Sequence, residues 1–166
     1  MKILYLVRHA KSTWQYDQIE DYDRPLKGRG IRDAHVMSGL WEQGFEVPEI
    51  LISSPATRAL HTAIIFARNI NYPLSEIQME EDLYLTSYQM YWEVVKMIDD
   101  EFNCAMVFGH NPAITKFVNS IVPQSVDNVP TTGVVCFKFH ADRWAQVGKD
   151  AELLYFEYPK KIKKDR

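Results

Sequence analysis

Cysteine is nearly absent from this chain. Two occur in 166 residues, Cys104 and Cys136, each inside an apolar stretch and with no CxxC spacing. That excludes a disulfide scaffold and a thiolate metal motif, and reads as buried free thiols in a reducing compartment. Long hydrophobic runs are also missing, none approaching the ~20 residues of a membrane helix. The apolar start, Ile3 to Val7, is cut by Arg8 and His9 before it reaches the ~7–15 residues of a secretory core. A soluble, cytoplasmic protein with no membrane partner is the expectation. Seven Gly and eight Pro are too few for a collagen-like or low-complexity chain. Surplus positive charge is lacking too: the net charge is −3, and because Lys160–Arg166 holds five basic residues and one Asp, the rest carries −7. A body of that sign argues against a nucleic-acid partner.

What is there suits one folded domain. The composition is 46% hydrophobic and 25% charged, too apolar for disorder. A chain of this length buries roughly two-thirds of its unfolded surface without covalent staples. Residues 1–159 read as a single domain, and 160–166 as a basic tail, a solvated and frayed end.

Short apolar runs alternate with helical patterns. Lys2–Val7, Glu49–Ser53 and Cys104–Phe108 read as strands buried on both faces, as in a parallel sheet. Between them lie a helical pattern over Gly28–Gln43 that stops at Gly44, and a helix opened by Ser54-Pro55 with Ala56, Leu60, Ala63, Ala67 and Ile70 on one stripe. Ser75–Met79 reads as a short strand. Tyr88, Tyr91, Trp92, Val95, Ile98 and Phe102 mark a further helix. Asn111-Pro112 starts another, with Ile114, Phe117, Val118 and Ile121 on one face. Val134–Phe139 and Glu152–Tyr158 have no helix between them and read as an edge hairpin. The order predicts an α/β fold, a three-layer α/β/α sandwich with a mostly parallel central sheet.

In such sheets ligands bind beyond the carboxyl ends of the strands. Three ends carry similar cargo: Arg8-His9, then Ser53-Ser54-Pro55 with Arg58 in the following turn, then Gly109-His110-Asn111-Pro112. Two arginines, two histidines and the amides of two helix starts converge on one edge, a set suited to an anion. No acidic cluster is interleaved, so no metal and no cofactor are expected; protein charge stands where a phosphate enzyme would hold magnesium.

Leu6-Val7-Arg8-His9-Ala10, the run Ser53 to Ala63 and Gly109-His110-Asn111-Pro112 resemble the histidine phosphatase superfamily, in that family's order and across most of the chain. Asp23-Arg24-Pro25-Leu26 with Gly28 and Gly30, Asp82-Leu83-Tyr84 and Pro130-Thr131-Thr132-Gly133 are similar to its SixA-type phosphohistidine phosphatase branch. The resemblance implies a phosphoglycerate-mutase-like fold and a covalent phosphohistidine on His9, with Arg8, Arg58 and His110 completing the phosphate pocket. Ala10 stands where the wider family usually has glycine, which suits the SixA-type branch better than a mutase.

Chemistry agrees with those roles. A neutral imidazole can carry the phosphoryl group, guanidiniums can fork onto its oxygens, and a protonated His110 could donate to another. The surrounding positive charge should keep His9 deprotonated. Lys11, Ser12, Asp23, Arg24 and Asn111 are candidates for touching phosphate or substrate, although Lys11 reads equally as solvated and Asp23-Arg24 equally as a loop ion pair. Glu81, Asp82 and Asp23 are all open as proton donors to the leaving group. Between Arg58 and His110 there is no room for a lid domain, so an open site is expected. The partner is then a phosphohistidine-bearing protein of the histidine-phosphotransfer type, or else a small phosphorylated metabolite. A phosphomonoesterase, or a module that binds phosphorylated ligands without turnover, are the alternatives.

Overall fold

The computed structural model describes residues 1–165; Arg166, the last basic residue of the tail, lies outside them. Six strands form one sheet in the order β3-β2-β4-β1-β5-β6. These are β1 (Lys2–Arg8), β2 (Ile50–Ser53), β3 (Gln78–Met79), β4 (Cys104–Gly109), β5 (Val134–Phe139) and β6 (Ala151–Glu157). The first four run parallel; β5 is antiparallel to β1, and β6 to β5. The sheet is therefore mostly parallel, with the hairpin at one edge. A register shift between Cys136 and Phe137 marks a bulge in that hairpin.

Helices cover both faces, and the alternation of side chains along each strand divides the core in two. Leu4 and Leu6 of β1, with Ala105 and Val107 of β4, face α3 (Tyr88–Lys96) and α4 (Ala113–Asn119). Tyr5, Val7, Met106 and Phe108 face α1 (Gly28–Ser38) and α2 (Thr57–Asn69). This two-sided burial is why these strands read as unbroken apolar runs. Each fully buried Leu or Phe contributes roughly 1.5–3 kcal/mol of transfer free energy. Cys104 and Cys136 are buried and unbonded, both in the second layer.

Several boundaries differ from expectation. The pattern over Gly28–Gln43 divides into α1 and a 3-10 turn, Gly39–Gln43, ending at Gly44 with φ 96°. Helix α3 ends at Lys96, yet Ile98 still packs into the core. The tail is not frayed as far as it is described. Pro159–Lys164 form helix α5, in which Ile162 packs on the second layer and Lys163 Nζ donates to the buried Asp33 carboxylate of α1 at 2.9 Å. A proline at the helix start and one apolar residue facing inward suffice to dock it. Among the described residues, no helix is long and apolar enough to cross a membrane.

Candidate active site

Because β1, β4 and β2 are parallel and in register, their carboxyl ends reach one edge together; Arg8 lies opposite Gly109, and Ser53 opposite Phe108. Backbone bonds lash the three exits to each other. His9 N–H donates to Gly109 O at 3.0 Å, Ser54 N–H to Phe108 O at 3.0 Å, and Arg8 N–H to Gly133 O at 3.1 Å. Thr132 adopts φ 62°, unfavourable for a β-branched residue, and its N–H meets both the Arg8 and His9 carbonyls. Gly109 is required by packing: a Cβ there would strike the Tyr91 hydroxyl, which donates to Leu83 O at 3.0 Å and accepts from His110 N–H at 2.9 Å.

A cavity of about 410 Å³ opens at this edge, and Arg8, His9, Arg58 and His110 all line it. Lys11, Ser12, Arg24 and Asn111 line it as well. The His9 and His110 ring centres are 5.2 Å apart. His9 Nδ1 faces the Ala10 carbonyl at 2.8 Å. That contact puts the proton on Nδ1 and leaves Nε2 with its lone pair. His110 Nε2 lies 2.8 Å from Ser54 Oγ, which in turn accepts from Ala56 N–H at 3.3 Å. With the Ser54 hydroxyl donating to Nε2, the His110 proton resides on Nδ1.

Burial is the largest cause of the low basicity of both rings. It pushes His9 down to about 3, the charges of Arg58, Arg8 and Arg24 adding to the effect against the Ala10 carbonyl. Burial likewise pushes His110 down to about 3, with His9 and Arg58 in the same direction and Asp21 opposing. The empty pocket therefore holds two neutral imidazoles. A protonated His110 is not needed for donation: in the tautomer in which Ser54 donates to Nε2, the neutral ring donates through Nδ1–H.

Other expectations also change. Asp23, Glu81 and Asp82 are exposed and outside this cavity. The 3-10 turn Asp21–Asp23 turns Asp21 inward and Asp23 outward. The turn Glu81–Leu83 buries Leu83 and thereby directs its two acids to solvent. Asp82 lines a different cavity of about 400 Å³ between β2, β3 and α3, whose charged lining residues are all acidic and would repel phosphate. At the helix starts some amides are already taken, Thr115 N–H by Asn111 Oδ1 at 3.2 Å and the Ala59 and Leu60 N–H groups by Ala56 O.

The residue that sequence reasoning missed is Asp21. Its backbone carbonyl and carboxylate accept from the two terminal nitrogens of Arg58 at 2.6 and 3.0 Å, and the carboxylate also accepts from Arg24 Nε at 3.0 Å and Tyr84 Oη at 2.7 Å. Burial works to raise its pKa, but the Tyr84 hydrogen bond and the Arg58 charge outweigh it and hold the carboxyl at about 2. Each terminal nitrogen of Arg58 thus spends one N–H on Asp21, and its buried Nε has no partner. Among the described residues, the buried side-chain atoms without a partner are Arg8 Nε, Arg58 Nε, His110 Nδ1 and Thr132 Oγ1. Three of these four are donors on cavity residues.

The family model of the histidine phosphatase superfamily (branch 1) matches residues 4–97, more than half of the chain. The chain belongs to the histidine phosphatase superfamily. By that membership it is a phosphatase of the histidine-nucleophile class. An uncharacterized protein of Mycobacterium leprae is 28% identical over 93% of this chain and all of its own length. A structure described as phosphohistidine phosphatase SixA from Agrobacterium tumefaciens superposes with a TM-score of 0.80 at 22% identity, covering 95% of this chain and 98% of that one. The protein histidine phosphatase SixA complexed with tungstate also gives 0.80, at 18% identity, covering 96% and 99%. Among the described residues of this superfamily member, no group of three or more His, Cys, Asp or Glu side chains is arranged to hold a metal ion.

Proposed function

We propose that this phosphatase takes the phosphoryl group of a phosphohistidine on a partner protein onto His9 Nε2 and passes it to water. The observation that carries the reading is the group of unpartnered donors, Arg8 Nε, Arg58 Nε and His110 Nδ1, on three residues of the cavity that also holds His9. An unsatisfied buried donor costs about 1–3 kcal/mol. Three on residues that line one cavity favour an acceptor with several oxygens, and a tetrahedral phosphoryl group supplies them.

The neutral His9 ring attacks phosphorus in line, with Nδ1–H held on the Ala10 carbonyl. The new P–N bond forms as the substrate's P–N bond breaks, and the bonding pair leaves with the substrate ring, which departs as neutral imidazole because its distal nitrogen carries a proton taken from solvent. Guanidinium charge meets the oxygens in the loose transition state. Water then attacks phosphorus, inorganic phosphate departs, and His9 returns to its neutral form.

The choice of a P–N substrate rests on Asp21. It is the one carboxylate lining the cavity among the described residues, and at about 2 it is ionised at neutral pH and has no proton to lend. An alkoxide leaving group needs an acid. A phosphoimidazole does not need one from the enzyme, because its distal ring nitrogen takes a proton from solvent and the ring then leaves neutral. The missing lid and the exposed rim residues Trp14 (70%) and Leu85 (74%) suit a bulky, protein-borne substrate. A phosphorylated histidine-bearing domain assayed beside a panel of phosphate esters tests this. The domain is expected to be the better substrate, with EDTA without effect, and His9→Ala is expected to cost at least roughly a thousandfold in turnover with the fold retained. Turnover of esters alone overturns the protein substrate, and unchanged hydrolysis by His9→Ala overturns the mechanism.

A further inference from the structure

Trp14 is 70% exposed, yet it is not loose. The Arg24 guanidinium lies 3.6 Å from the centre of its ring. Arg24 is itself buried and fixed by Ser12 Oγ at 2.8 Å and the Asp21 carboxylate at 3.0 Å. The three residues before Trp14 are pinned to the segment Pro25–Lys27. Ser12 bridges to Leu26, Thr13 N–H donates to Pro25 O at 3.0 Å, and Lys27 N–H donates to Lys11 O at 2.8 Å. Gly30 allows this close approach, since a Cβ there would collide with the Lys11 backbone. One face of the indole is thus covered by a cation and the other is held open in a set orientation. A large apolar ring kept rigid in water is preorganised for contact.

Its position says with what. Trp14 and Lys27 line both the His9 cavity and a neighbouring cavity of about 630 Å³, walled also by Thr13, Gln15, Tyr16 and Leu26. No acid lines that second space. On the other side of the site, beside Leu85, the adjoining cavity is only about 190 Å³. A group attached to a phosphoryl in the His9 cavity can therefore extend past Trp14 into that roomier space.

We propose that Trp14 and the cavity beyond it form the leaving-group subsite, and that its ligand is an N-phosphorylated planar ring, an imidazole, stacked on the indole. This rests on the phosphatase reading above and adds the residue that selects the leaving group. Phosphoimidazole and phosphoramidate isolate the ring, because both present a P–N bond and only the first carries a ring. In Trp14→Ala, the ratio of kcat/KM for phosphoimidazole over phosphoramidate is expected to fall by roughly two- to tenfold, the range of one aromatic pair. Trp14→Phe, which keeps a ring, should restore most of it. An unchanged ratio, or one that Trp14→Phe leaves as low as Trp14→Ala does, overturns the subsite. The same ratio measured as Kd in the His9→Ala background decides Trp14 without turnover. A wild-type enzyme that hydrolyses neither compound nor a phosphorylated histidine-bearing domain therefore contradicts the phosphatase reading, while the Kd ratio still judges the platform. A phosphorylated histidine-bearing domain as a third substrate separates a protein-borne ring, if its kcat/KM exceeds that of free phosphoimidazole, from a small-molecule one.

Discussion

Strand β1 carries a cation at each end, Lys2 buried and Arg8 half-buried, and the two are treated in opposite ways. Lys2, at the amino end, is fully buried; its ammonium donates to Asp100 O and Phe102 O at 2.8 Å and to Asn103 Oδ1 at 3.1 Å, with the Trp144 ring 5.6 Å away. Its three donors meet three acceptors. At the carboxyl end, Arg8 donates to Val129 O at 2.9 Å but leaves Nε unpaired, and Arg58 Nε and His110 Nδ1 beside it share that condition. Both ends withdraw charge from water, wholly at Lys2 and partly at Arg8, against the usual penalty. One closes its hydrogen bonds within the protein and stabilises the fold; the other keeps them open, which costs stability and creates a place for an anion.

The largest test of this contrast exchanges the two cations for a residue of similar length. Arg8→Met is expected to lower kcat/KM by roughly a hundred- to a thousandfold, the range for one preorganised donor, with an unchanged or raised Tm. Lys2→Met should do the reverse, leaving the turnover of folded enzyme intact. Two stranded acceptors, Asp100 O and Asn103 Oδ1, put its cost at about 1–3 kcal/mol or more, read as a Tm lower by several degrees, while Phe102 O keeps Trp144 Nε1 at 2.8 Å. Equal effects of the two variants on Tm would erase the distinction between the ends.

A smaller effect sharpens it through pH. His9 and His110 are held at about 3, below the ordinary histidine value of about 6.5. The unfolded chain therefore binds more protons than the folded one between those limits. Their contribution is fully present above about pH 6.5 and is lost as pH falls towards about 3. Urea unfolding across that range should show stability falling with acidity, and less steeply in His110→Ala. An imidazole NMR titration that gives His9 an ordinary midpoint would contradict the burial argument. The smallest effect is that of Asp21→Asn. Asp21 holds Arg58 through a charged contact at 3.0 Å, so the variant should raise KM severalfold with kcat little changed, whereas a kcat loss of thousands would make Asp21 a participant in proton transfer. Because the Asp21 carboxyl sits at about 2, its own contribution to stability is present above the usual carboxylate range and is lost as pH falls through about 2; the Asn variant should lack that acid limb.

How much was legible beforehand follows from the range of each interaction. Strands β1, β2 and β4 announce themselves because burial on both faces leaves continuous apolar runs. Their common edge follows from parallel order, so the residues after each strand can be named from sequence as neighbours. Asp21 could not be. Its partners Arg58 and Tyr84 are 37 and 63 positions away, and a three-residue 3-10 turn has no periodicity to separate Asp21 from Asp23. The one available hint was its spacing of three from Arg24. Ser54 lies within a motif that was read, but its contact with His110 spans 56 positions, and only the fold reveals which ring nitrogen it holds. Helix α5 was hidden by its charge, since a run of lysines reads as solvated until Asp33 supplies a buried partner 130 positions earlier.

The claim at the centre is that His9 and three open donors surround a single tetrahedral anion. A crystal structure of the protein soaked with vanadate measures this directly. The account predicts vanadium bonded to His9 Nε2, with Arg8 Nε, Arg58 Nε and His110 Nδ1 each donating to a vanadate oxygen and Asp21 still on Arg58. Vanadate bound elsewhere, or in the cavity with those three donors still unpaired, would contradict it.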